Sequence, residues 1–356
     1  MQTLRANTSE LFFTDDAKEL FVVEKFNVRQ GNNVQILNID QGEVRPPHDN
    51  KERRFRPDRN RYDTNNEIAD AVLPRVGGFT WRTDVGVSGD GKLVAIVDGV
   101  IDQGPDYCRT TSTLKVCRRE AASEKSAPEG SAPKRDSEVR TTELYSYAER
   151  QIMCNRLHFM KDNRTLFLLW QRTESTKHRL VLNFSLWDAP ELEQLRSFDV
   201  VVEPKMEHKF TEMPADQINM FVEQATVYPD ESAVLLEIKK YSERYDEYKY
   251  LTVDLVTGEA RDPLPHPIKR PARKRQELVL FSNKLKFTGA GNQIAYIKDA
   301  STVALTPLVE GEEEVEIRGD FNVPEDIDVT PDGLFLAIGG GEGSEEVFVY
   351  ELDWEM

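Results

Sequence analysis

Five histidines, His48, His158, His178, His208 and His266, are the imidazoles available for acid–base chemistry. A hydrolytic triad needs one of them beside an activated serine and a carboxylate. His48, His208 and His266 fall in polar stretches that read as insertions. His158 sits on an alternating strand, where a packed imidazole is expected rather than a general base. The sequence has no Gly-x-Ser-x-Gly elbow and no Gly-x-x-x-x-Gly-Lys-Ser/Thr phosphate loop. Gly339–Gly343 (GGGEG) is not followed by a helical pattern, so it reads as a turn between two strands. Glu325 and Asp326, just ahead of an apolar strand, are the acids best placed to face a central channel. A metal there would need matching oxygen donors from other repeats. Arg82, Asn155 and Asn283 occupy those positions and do not supply them. Both acids are therefore expected to be solvated, and no catalytic residue, metal site or cofactor follows from the sequence.

Two basic clusters suggest recognition instead. Lys51–Arg61 reads KERRFRPDRNR and Lys269–Arg275 reads KRPARKR, against an acidic run at Glu310–Glu316. With 46 basic and 63 acidic residues, the chain carries a net charge of −17. That background repels phosphate, and few aromatics flank the cations, so direct nucleic-acid binding is disfavoured. Lys269, Arg270, Arg273, Lys274 and Arg275 have the compactness of a nuclear-import signal. They also suit a solvated loop, or a partner for the acidic run. Arg53, Arg54, Phe55, Arg56, Tyr62 and Trp81 mix arginine with aromatics, the composition of a partner-binding surface. Trp81 is equally suited to packing between repeats.

The elements that position these residues repeat. An alternating strand, a polar turn and a second apolar strand recur six times: from Phe12 (FFTDDAKELFVV), Val85 (VGVSGDGKLVAIV), Leu157 (LHFMKDNRTLFLLW), Ala225 (ATVYPDESAVLLEI), Leu285 (LKFTGAGNQIAYI) and Ile327 (IDVTPDGLFLAIG). Alternation buries one face of each strand, and the Asp, Asn and Gly turn residues tolerate positive φ. Third strands follow at Asn33–Glu43, Glu247–Glu259 and Val347–Asp353, and His178–Phe198 adds a fourth after Trp187-Asp188. A single all-β domain over 1–356 is expected: a β-propeller of about six four-stranded blades, with five to seven compatible with the pattern. Because the last unit stops after a third strand, Thr3–Ser9 is expected to pair beside Val347–Glu351 and close the ring.

TPDG at Thr330–Gly333, SGDG at Ser88–Gly91 and the Trp187-Asp188 pair resemble a divergent WD40-like β-propeller. The sequence contains no Gly-His dipeptide, so that family's buried Asp-His network is not expected. The last repeat is also similar to blades of lactonase-type propellers.

Four insertions, at about 45–78, 119–137, 204–217 and 261–276, are expected to carry no core structure. NNEIADAVL in the first suits a turn or two of helix. Arg119–Ser137, rich in Ala, Ser, Pro, Glu and Lys, reads as a disordered loop. Loops on a rigid scaffold are where binding residues gather. Three cysteines, Cys108, Cys117 and Cys154, are few enough for a reducing compartment. Cys108 and Cys117 invite pairing, and packed strand residues are the alternative. No stretch approaches the roughly 20 apolar residues of a membrane span, and no apolar leader is present. The expectation is a cytoplasmic protein, with the nucleus reachable through the 269–275 cluster. Its function would be a non-catalytic scaffold recruiting a protein partner. A lactonase-like hydrolase with a central metal and a nuclear, nucleic-acid-associated factor are the alternatives.

Overall fold

The computed structural model describes residues 8–25, 34–39, 43–45, 52–55, 79–103, 108–118, 139–147, 152–174, 179–202, 219–241, 245–262, 273–274, 285–288, 291–309, 312–319, 324, 326–339 and 347–352. Within them the chain forms six antiparallel sheets. Blade 1 consists of β1 (Thr8–Phe13), β2 (Glu19–Lys25) and β3 (Val34–Asn38). The chain then makes β4 (Glu43–Arg45) and β5 (Glu52–Phe55), which belong elsewhere. Blade 2 is β6 (Phe79–Val87), β7 (Leu93–Gln103), β8 (Cys108–Arg118) and β9 (Val139–Tyr147). Blade 3 is β10 (Ile152–Phe159), β11 (Thr165–Glu174), β12 (Arg179–Asp188) and β13 (Glu193–Val202). Blade 4 is β14 (Asn219–Val227), β15 (Ala233–Tyr241), β16 (Tyr245–Asp254) and the short β17 (Ala260–Arg261) and β18 (Arg273–Lys274). Blade 5 is β19 (Leu285–Phe287), β20 (Gln293–Asp299), β21 (Thr302–Pro307) and β22 (Val315–Arg318). Blade 6 is β23 (Asp326–Val329), β24 (Phe335–Gly339) and β25 (Val347–Glu351), extended by β5 and then β4.

The first strands of the six sheets adjoin in cyclic order. β1 meets β6, β6 meets β10, β10 meets β14, β14 meets β19, β19 meets β23, and β23 returns to β1. A closed ring of small antiparallel sheets around an axis is a β-propeller. An apolar core fills each junction. In β11, Phe167 and Leu169 face blade 4, while Leu166, Leu168 and Trp170 face blade 2. In β24, Leu336 and Ile338 pack toward blade 5 and Ala337 toward blade 1. Period-2 geometry thus explains why these second strands read as unbroken apolar runs: both faces are buried.

Ring closure differs from the expectation. Thr8 and Ser9 open the inner strand β1 and pair with Lys25 and Glu24. The position beside β25 is taken by β5, with Val347 opposite Phe55, Phe348 opposite Arg54, Val349 opposite Arg53 and Tyr350 opposite Glu52. The reason lies in β1, whose Leu11 and Phe13 fill the junction with blade 6 and commit that strand to the inner position. The first insertion therefore carries structure after all, since it supplies the closing strand. The 261–276 segment likewise contributes β18, paired with Tyr245 and Asp246 of β16. NNEIADAVL and the 119–137 and 204–217 insertions lie outside the described residues, as does the connection between β24 and β25 that holds most of GGGEG.

Cys108 and Cys117 are both on β8, nine residues apart in one extended strand. That separation is about 30 Å, far beyond what a disulfide spans. Cys117 is buried at the junction of blades 1 and 2.

Each turn between a blade's first and second strands has one residue in the left-handed region: Ala17, Gly91, Asn163, Glu231, Gly291 and Gly333, with φ of 55, 67, 56, 59, 70 and 75°. The turns share two backbone hydrogen bonds, as in Gly333 N to Thr330 O (2.8 Å) and Thr330 N to Phe335 O (3.0 Å). Gly, Asn or Asp is the inexpensive choice at such a position, and Ala17 is not. Ala17→Gly is therefore expected to raise the urea unfolding free energy by about 0.5–1 kcal/mol, and Gly333→Ala to lower it by about 1–2 kcal/mol.

Candidate functional site at the channel mouth

The inner strand of a propeller blade is a sheet edge, so its outward N–H and C=O groups have no ladder partner. Side chains of neighbouring blades fill that role here. Asp326 Oδ2 accepts from Leu11 N (2.8 Å) and Asp328 Oδ2 from Phe13 N (2.7 Å), joining blade 6 to blade 1. Gln171 Oε1 accepts from Val222 N (2.7 Å), joining blade 3 to blade 4. Gln224 Oε1 accepts from Leu285 N (3.1 Å) and Thr226 Oγ1 donates to Leu285 O (2.7 Å), joining blades 4 and 5. Lys286 Nζ reaches Asp328 Oδ1 at 3.0 Å across the junction of blades 5 and 6.

The turns interlock on the same end of the ring. Asp15 N donates to Gly89 O (2.7 Å), and a Cβ on Gly89 would lie 2.2 Å from the Asp15 carboxylate. Asp90 N donates to Asn163 Oδ1 (3.1 Å), whose Nδ2 donates to Asp15 Oδ2 (3.2 Å). Lys161 N donates to Glu231 Oε1. Burial pushes the Glu231 carboxyl above its ordinary range.

A cavity of about 190 Å³ opens at this mouth, lined by residues from all six turns and inner strands. Two residues before the first turn position, the strands carry Phe12, Gly86, His158, Thr226, Lys286 and Asp328 in ring order. Four residues before it, Arg156 stands on the His158 face of β10. Lys286 is held between Asp328 and the Phe12 ring, whose centroid lies 5.8 Å from Nζ. Tyr228 and Phe287 form an aromatic wall with centroids 4.3 Å apart. Burial, then the charges of Arg156 and Lys286, pushes the His158 pKa down to about 3. At neutral pH its ring is uncharged, with one N–H donor and one acceptor nitrogen.

Asp326 is corrected by the structure. It is 2% exposed rather than solvated, and its second oxygen accepts from Ile327 N at 2.9 Å. Glu325 lies outside the described residues. The acidic run at 310–316 finds local partners: Glu314 and Glu316 hold Lys298 at 2.6 and 2.5 Å, and Glu316 also holds Arg318 at 2.6 Å. Among the expected contact residues, Arg53, Arg54 and Phe55 are on β5 at the outer side of blade 6, and Trp81 is on β6. Arg273 and Lys274 form β18, whereas Arg56, Tyr62, Lys269, Arg270 and Arg275 lie outside the described residues. β5 and β18 thus belong to different sheets, those of blades 6 and 4. Sequence reasoning passed over Lys286 and Asp328. Aligning the six hairpins on their turns and reading back two residues would have found both. No helix of the described residues is long and apolar enough to cross a membrane.

No family model matches the chain, and no curated protein matches it. Among solved structures, the β-propeller domain of Cps50 (Swd1) from Myceliophteria thermophila aligns over 99% of this chain and 98% of that one, at 12% identity and a TM-score of 0.42. The ring of sheets and its turn motifs decide the architecture. The chain is a β-propeller. Its Trp187 packs between blades 2 and 3 with Nε1 donating to Ser185 Oγ (3.0 Å), and Asp188 holds Arg164 of the blade 3 turn at 2.6 Å.

Removing the Asp326 carboxylate strands two buried backbone N–H groups. Asp326→Ala is expected to lower the unfolding free energy by about 2–4 kcal/mol in urea titration, with Asp326→Asn costing less because one acceptor oxygen survives.

Proposed function

We propose that this propeller is a non-catalytic, protein-binding ring that receives a segment of its partner at the channel mouth on the turn face. The observation that carries the proposal is the commitment of polar side chains to the inner-strand backbone of adjacent blades. Asp326, Asp328, Gln171 and Gln224 each hold the backbone of a neighbouring blade. A central metal-dependent hydrolase would need such carboxylates turned toward an ion, and both Asp326 oxygens are taken by Leu11 N and Ile327 N. What the ring offers instead is a preorganised rim around a small, partly aromatic cavity, which suits capture of a side chain. At about 190 Å³ the cavity is below the ~300 Å³ of drug-sized ligand pockets.

Photo-crosslinking in native extract tests this reading. A photoreactive residue at Lys161, on the mouth, is expected to capture a discrete partner, and one at Lys249, on the perimeter of blade 4, is expected not to. Equal capture at both positions, or none at either, contradicts it. So does turnover of a lactone or ester by the purified protein that disappears in Asp326→Asn while the ring stays folded.

A further inference from the structure

The polar floor of the same cavity gathers basic side chains. Three basic side chains from two blades, Arg156 and His158 of β10 and Lys286 of β19, turn toward it. The acids around them already have partners. Asp328 is filled by Phe13 N and Lys286, Asp15 Oδ2 by Asn163, and Glu231 reaches the backbone of Lys161. The charges of Arg156 and Lys286 both act on His158 and oppose its protonation, which places the three side chains close together at the cavity. Among the described residues the His158 ring has no hydrogen-bond partner, although it lines the cavity. Phe12, Tyr228 and Phe287 surround this polar patch with apolar surface, where a charge-assisted hydrogen bond is stronger than in open water.

We infer that the channel mouth binds an oxyanion carried on a protein segment, seated against Arg156, His158 and Lys286. A glutamate or aspartate carboxylate and a phosphorylated side chain share this chemistry. Lys286 is positioned in advance by Asp328 and the Phe12 ring, so little side-chain entropy is lost when the anion arrives. The His158 N–H adds a neutral donor. The inference rests on the mouth being the binding surface, and it adds the chemical class of the group that enters.

The test uses the full chain with 15N-labelled histidine. The His158 ring signals, assigned by their loss in His158→Gln, are followed while the peptide acetyl-(Glu)4-amide is added. Inorganic phosphate is titrated in a second arm and acetyl-(Ser)4-amide in a third. Saturable shifts of the His158 nitrogens with the glutamate peptide or with phosphate, and none with the serine peptide, are the expected result. The tighter of the two identifies which oxyanion the site prefers. Arg156→Gln and Lys286→Gln should each weaken binding by about tenfold or more, the loss of one charge-assisted hydrogen bond, while Lys286→Arg retains it. Thermal melts confirm that each variant is folded, and if Arg156→Gln is not, the Lys286 pair decides. Shifts that persist unchanged in Lys286→Gln, or no saturable shift with either anion, overturn the inference. If crosslinking from Lys161 still captures a partner in that case, the binding reading stands and only its anionic chemistry falls.

Discussion

A propeller's inner strands are sheet edges turned toward each other, and the rest of this structure depends on how their exposed backbone amides are satisfied. An N–H left without an acceptor near the axis costs about 1–3 kcal/mol, and a ring presents many of them. Here the answer is lateral: a carboxylate or amide of one blade accepts from the inner strand of the next. Asp326 and Asp328 do this at the junction between the end and the beginning of the chain, where Leu11 and Phe13 present their amides. The apolar side chains of those two residues fill the same junction. Polar and apolar contacts therefore fix the same relative placement of blades 6 and 1, which is the placement that makes the ring closed.

This division of labour shapes where function can sit. Carboxylates engaged by backbone amides are poor ligands for anything else, so Asp326, one of the two acids that suggest catalysis in the sequence, serves cohesion in the fold. The cations are arranged differently. Lys286 is shared between a structural ion pair and the cavity, and His158 faces the cavity uncharged at neutral pH, with its pKa held near 3. The turn face inherits rigidity from the interlocked turns of blades 1 to 4, and a rigid rim is what a binding ring needs.

Much of the architecture was legible in the sequence because the hairpin turns constrain their residues so tightly. A left-handed position three residues after the first turn residue, followed by a run apolar on both faces, leaves a pattern that six divergent repeats still share. Closure was not legible. β5 (Glu52–Phe55) is a four-residue arginine-rich strand with no apolar alternation, set in the outer part of blade 6 between β25 and β4. The charge run in ERRF reads as a loop because its ladder partners lie about 300 residues away in β25. Asp326 was misplaced for a related reason. A carboxylate that caps amides of another blade looks, in one dimension, like any solvated acid before a strand. The site residues His158 and Lys286 were within reach of turn alignment, whereas their convergence on one cavity required the ring.

Amide hydrogen exchange at Leu11 and Phe13 tests the central claim most directly. Both N–H groups point away from β2 toward blade 6, and the account predicts that they exchange as slowly as the ladder amides of β2 and that each loses that protection when its own acceptor is substituted, Leu11 in Asp326→Ala and Phe13 in Asp328→Ala. Exchange as fast as in an unstructured strand edge, or protection unchanged by the substitution, would show that something other than the blade 6 carboxylates holds the ring together.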